Sequence, residues 1–127
     1  MRGPILIAIF LGGAVGGVAR SALEQAWPAS GHGWPWVTFA VNIAGTALLA
    51  SLPAIARRRP HPALVAPLLG VGVCGALTTF STLQLEVVVL VHGGHAALGV
   101  AYAAGSIGVG LLTAFAVMTL VRRKPAA

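Results

Sequence analysis

Few side chains in this 127-residue chain can do chemistry, and they are spread thinly through apolar sequence. Asn42 is the one strongly polar residue in "TFAVNIAGTALL", with Thr38 a helical turn before it and Gly45 and Thr46 a turn after. The stretch "GVCGALTTFST", positions 72–82, sets Thr78, Thr79, Ser81 and Thr82 around Phe80 and leads into them through Gly72 and Gly75. Tyr102 and Ser106 stand four apart, on one helix face, as do Arg20 and Glu24. Glu86, the only other acidic residue, comes six residues after Phe80 in the same apolar run and needs either a partner or a water-filled cavity there. Donors and acceptors of this kind handle ions and link helices; they offer no activated nucleophile and no cysteine-rich metal site, since Cys74 is the only cysteine. The four histidines, His32, His61, His92 and His95, fall at irregular spacing in predicted loops or helix ends and do not read as a metal site.

Several of these groups have two readings. Arg20 and Glu24 fit either a salt bridge or a vestibule that attracts anions. The Asn42 amide fits helix–helix adhesion or two donors aimed at an anion. The glycines and hydroxyls of 72–82 fit a packing face or a broken helix, in which freed carbonyls meet a cation while hydroxyls and the electropositive edge of Phe80 meet an anion.

The elements that must carry them follow from hydropathy. The chain is 57% hydrophobic and only 8% charged, with a mean hydropathy of +0.92. Apolar runs at 4–26, 36–56, 63–91 and 96–121 each reach the ~20 residues that cross a bilayer as helix. An all-α integral membrane protein of four transmembrane helices is predicted, a single domain over 1–127. The third run would be about 43 Å long as a continuous helix, more than the hydrocarbon core requires, so it has length to spare for a break. Gly72 and Gly75 are expected to supply unusual dihedrals there, and the hydroxyls to bond the freed backbone. The opening "MRGPILIAIF" has the look of a secretory signal, but Gly12, Gly13, Gly16, Gly17 and Arg20 read as packing and site features of a retained helix.

Charge placement gives orientation. Apart from Arg20, every basic residue (Arg2, Arg57, Arg58, Arg59, Arg122, Arg123 and Lys124) falls on the side shared by both termini and the second loop. By the positive-inside rule both termini lie in the cytoplasm. The net charge of +6 therefore reads as topology and lipid-headgroup anchoring, with no nucleic-acid partner. Trp27, Trp34 and Trp36 flank the opposite loop, as an interfacial belt would.

With these residues in view, the chain resembles the Fluc family of bacterial fluoride channels, also called CrcB-type proteins, along essentially its whole length. The resemblance rests on "GGAVGGVAR", "VNIAG", "GVCGALTTFST" and Tyr102, in that order. It implies an antiparallel dimer in the bacterial inner membrane, with two fluoride pores at the subunit interface and a structural sodium ion at the dimer centre. It further implies that Asn42, Phe80, Thr38, Ser81, Thr82, Tyr102 and Ser106 line the pore, that Arg20 stands at a vestibule, that Gly75 and Thr78 offer carbonyls to sodium, and that Glu86 is the glutamate after the phenylalanine block. The implied role is passive release of cytoplasmic fluoride, and the sequence has no nucleotide loop or acidic relay for energy coupling.

Two features depart from that family pattern. Leu83 stands where the family block continues "TTFSTF", which removes one pore aromatic. The loop charges are one-sided, where a protein that inserts both ways needs balance. Both fit a subunit of fixed orientation paired with an inverted homologue. A non-conducting scaffold subunit is the alternative. A small multidrug exporter fits poorly, because it needs a mid-membrane carboxylate in the first helix, and this one has only Arg20 and the terminal Glu24.

Overall fold

A computed structural model describes residues 2–123, and all regular structure there is helical. Lys124 lies outside the described residues. Four spans are long and apolar enough to cross a membrane: Gly3–Ala26, Trp36–Ala56, Pro62–His92 and Ala96–Arg123. They match the sequence expectation to within two residues at every end.

Proline and glycine punctuate the spans. Helix α1 (Gly3–Ala26) has Pro4 in its first turn, where a missing N–H costs nothing, and stops just ahead of Pro28. Helix α2 (Trp36–Ala56) starts after Pro35 and tolerates Pro53 close to its end. Gly31 and Gly94, in the two loops at the far end from the termini, are the only described residues with positive φ, +77° and +83°. Helix α6 (Ala96–Arg123) runs unbroken and ends on Arg122 and Arg123.

The third span is built from pieces. A short α turn, α3 (Pro62–Val65), passes into a π-wound stretch over Ala66–Cys74, then a last α turn, α4 (Gly75–Leu77). The chain then opens at Thr78 (φ −79°, ψ 151°) and Thr79 (φ −149°, ψ 123°), and helix α5 (Phe80–His92) completes the crossing. The break is thus present, but glycine dihedrals do not make it. Gly75 keeps helical angles (φ −61°, ψ −31°) and Gly72 is not among the positive-φ residues. Two β-branched threonines, which suit extended backbone, supply the opening.

Gly72 has another task, close approach. A Cβ on it would lie 2.8 Å from the Ile9 carbonyl and 2.9 Å from Gly12 Cα. Cβ atoms on Gly12 and Gly16 would collide with the carbonyls of Leu68 and Val73. Helix α1 therefore seats backbone-to-backbone on the π-wound stretch, the small-residue packing that membrane helices use in place of a hydrophobic drive. Helices α2 and α5 pack on α6. The small core includes Val41, Leu90 and Tyr102, and Cys74 where the π-wound stretch meets α2, while Phe10, Val18, Ile107, Leu111 and Phe115 point outward. That inversion of the soluble pattern suits lipid or a second subunit on the outside.

Candidate functional site

The site is built around the break. Opening the chain at Thr78 and Thr79 frees backbone groups that hydrocarbon cannot solvate, so each must find a partner inside the protein. Asn42, from α2, meets Thr79 on both sides: its Nδ2 donates to the Thr79 carbonyl at 3.0 Å, and its Oδ1 accepts from the Thr79 N–H at 2.8 Å. One amide thus replaces the neighbouring strand that an extended residue would have in a sheet. Thr79 caps α5, its hydroxyl accepting from the Thr82 N–H at 3.2 Å and donating to Thr82 Oγ1 at 3.1 Å. The Ser81 hydroxyl lies 3.3 Å from Thr79 Oγ1. On the other side of the break, the Thr78 hydroxyl donates back to the Cys74 carbonyl at 2.7 Å.

The opening takes the carbonyls of residues 75–78 off the helical ladder, and those of Gly75 and Thr78 can be traced through the bonds above. The N–H that would reach Gly75 in a continuous helix belongs to Thr79 and goes to Asn42. The N–H that would reach Thr78 belongs to Thr82 and goes to Thr79 Oγ1. Uncommitted backbone oxygens at mid-span are the ligands a hard cation prefers.

A second cluster sits nearer the tryptophan-rich end. Glu86 Oε1 accepts from the Thr38 hydroxyl and Oε2 from the Tyr102 hydroxyl, each at 2.7 Å. Three helices, α2, α5 and α6, thus converge on one carboxylate. Thr38 and Tyr102 are fully buried. The partner that the sequence left open for Glu86 is this pair of O–H donors. Ser106, one turn beyond Tyr102, is buried with no hydrogen-bond partner for its Oγ.

Arg20 pairs with Glu24 at 3.3 Å and also reaches the Ala76 carbonyl with Nε at 3.0 Å. A cleft of about 860 Å³ opens at this end, and its lining includes Glu24, Trp27, Trp36, Thr38, Thr82 and Glu86. It joins the second cluster to the first turn of α5.

The expected site residues therefore fall into two groups in this chain. Asn42, Thr78, Ser81 and Thr82 gather at the break, and Thr38, Glu86 and Tyr102 gather above it. Phe80, the first residue of α5, is also at the break but has its side chain outward, 69% exposed. Two contributors take larger roles than their sequence reading, in which Thr79 is only one of four hydroxyls able to bond freed backbone and Trp34 only part of the belt. Thr79 is the hub of the break, and the preference for threonine at a helix N-cap was a usable signal for it. Trp34 leaves the expected belt: its ring packs edge-on against Tyr102 with centroids 5.4 Å apart, and its buried Nε1 has no partner, whereas Trp27 and Trp36 stay exposed. A belt position requires a wet ring edge, and Trp34 is instead held inward against Gly105.

Comparison with known sequences gives one family. A family model described as "CrcB-like protein, Camphor Resistance (CrcB)" matches residues 7–118. A relative from Mycobacterium bovis, named fluoride-specific ion channel FluC 1, is 44% identical over 93% of this chain and 90% of its own length. A Deinococcus radiodurans protein named fluoride-specific ion channel FluC is 40% identical, covering 91% and 94%. A Streptomyces avermitilis protein named fluoride-specific ion channel FluC 2 is 38% identical, covering 84% and 68%.

Proposed function

Since the chain belongs to the CrcB-like family, we propose that it is a subunit of a fluoride-selective channel that lets fluoride leave the cytoplasm passively. It is not an enzyme. The observation that carries the reading is the third-span break, pinned open by Asn42 and lined with hydroxyls beside an exposed phenylalanine. Fluoride is small and strongly hydrated. A path for it must replace lost water with close donors while staying too narrow for larger anions, and several weak sites let the ion leave.

Asn42, Ser81, Thr82 and the edge of Phe80 supply donors and positive ring edge at the break. Thr38, Tyr102 and Ser106 continue the track, and Arg20 stands beside the vestibule. At the second cluster two O–H donors converge on Glu86; a fluoride ion that competes for them takes the place of the carboxylate as acceptor. No covalent step is needed anywhere along the path.

The channel is an antiparallel dimer in the bacterial inner membrane, with this chain's termini in the cytoplasm. The charge bias supports a fixed orientation. Leu83 and that bias together support a heterodimer with an inverted homologue. A structural sodium ion at the dimer centre would be held by the carbonyls of Gly75 and Thr78, and their release from the helical ladder supports that fit. Sodium bound there would supply positive charge beside the break.

Fluoride efflux from liposomes, followed by ion-selective electrode with chloride as control anion, tests the reading. Flux is expected when this chain is reconstituted with an oppositely biased homologue. Full flux from the chain alone would refute the heterodimer, and silence in both would contradict the channel reading; the scaffold reading that Leu83 supports expects flux with the partner that barely changes when Asn42 or Phe80 is substituted.

A further inference from the structure

We propose that Arg20 is a positioning residue for the third-span break, acting through the carbonyl of Ala76. The inference rests on the channel reading and goes beyond attraction of anions to a vestibule. Ala76 lies in α4, the last helical turn before the chain opens. A helix end leaves its final carbonyls without amide partners, and within a membrane each must be satisfied by the protein. The Cys74 carbonyl takes the Thr78 N–H at 3.0 Å and the Thr78 hydroxyl. The Ala76 carbonyl takes Arg20 Nε at 3.0 Å, a bond between residues 56 apart in sequence.

The charge suits the place, because the C-terminal end of a helix is its negative pole. The aim is also fixed. Glu24 holds the same guanidinium through Nη1 at 3.3 Å. Gly16, one turn before Arg20, is seated against the Val73 backbone, so a backbone contact and not a loop sets the height of Arg20. The break is consequently gripped from two helices: α1 holds its α4 side through Arg20, and α2 holds its α5 side through Asn42.

The test compares wild type, Arg20→Gln and Arg20→Lys in the assembled two-subunit channel, with two readouts. Fluoride efflux is measured at low and at high ionic strength set by an impermeant salt, which screens attraction of anions over distances beyond about 10 Å at 0.1 M. Alkylation of Cys74 is measured in parallel. That thiol is 1% exposed, bonded to the Gly45 carbonyl, and one turn ahead of the break, so its reactivity reports opening there. The clamp predicts an efflux deficit in Arg20→Gln that persists at high salt, with Cys74 alkylation roughly fivefold faster or more, as local opening becomes cheaper. Arg20→Lys, which keeps the charge and loses the fork, is expected to fall between. Cys74 reactivity equal to wild type in both variants overturns the proposal, as does convergence of all three efflux rates at high salt. If Arg20→Gln fails to assemble, Arg20→Lys alone decides by the same criteria. A wild-type channel that carries no fluoride contradicts the channel reading instead, and the alkylation comparison still decides the clamp.

Discussion

At the scale of single residues, the account turns on Asn42. In the sequence it had two readings, adhesion between helices and donation to an anion. The structure commits its Oδ1 and one donor to Thr79, which is adhesion of an unusual kind, to opened backbone instead of to a side chain. The second N–H of the amide remains for other duty. Asn42→Ala strips partners from both backbone groups of Thr79, so a loss of about 2–4 kcal/mol in stability is expected from two unsatisfied groups. Thermal or denaturant unfolding in detergent measures it, and a change under about 1 kcal/mol would show that the break does not depend on this amide. Glu86 was legible as a group that needs a partner but not which one. Thr38 and Tyr102 come from other helices, and no local spacing encodes a contact across 48 residues.

At the scale of elements, hydropathy alone located all four spans, because a bilayer fixes their length and leaves little freedom in their ends. The break was also legible, in the cluster of hydroxyls at "TTFST". Its mechanism was not, because glycine and threonine can both relieve a helix and the sequence does not say which of them opens. The π-wound stretch over Ala66–Cys74 left no trace either, since it differs from α-helix by one residue per hydrogen-bonded ring while hydropathy there is uniformly apolar. Seating α1 on this stretch gives Gly16 and Gly13 different weight. A Cβ at Gly16 meets the Val73 backbone, whereas one at Gly13 has only the Gly72 carbonyl at 4.0 Å. Gly16→Val is expected to cost at least the 1–3 kcal/mol or so typical of overpacking, and Gly13→Ala less than about 1. The monodisperse fraction on size exclusion and the melting temperature distinguish them, and equal behaviour of the two variants would mean that α1 is not seated through Gly16.

At the scale of the whole molecule, charge placement carries the argument for a single orientation. Serine at Arg57, Arg58 and Arg59, combined with arginines introduced beside Ser30 and His32, removes most of the bias. The expected result is a mixed or inverted population in place of a single one, read by labelling an introduced cysteine near Arg123 with an impermeant maleimide. An unchanged orientation would break the link between bias and a fixed, inverted partner. What covers the outward apolar face was legible only through family resemblance, because a surface that suits lipid equally suits a second subunit.

The central claim is that this chain lines a conducting pore. Phe80 tests it most directly, because its side chain is exposed in the single chain and its loss leaves the internal packing intact. The measurement is fluoride efflux from liposomes holding the assembled pair, with Phe80→Leu in this chain and the partner unaltered. A fall of about tenfold or more, the effect of ~1.4 kcal/mol on the barrier, is the predicted result. Wild-type efflux from the variant would contradict the claim and leave this chain a scaffold for a pore made by its partner.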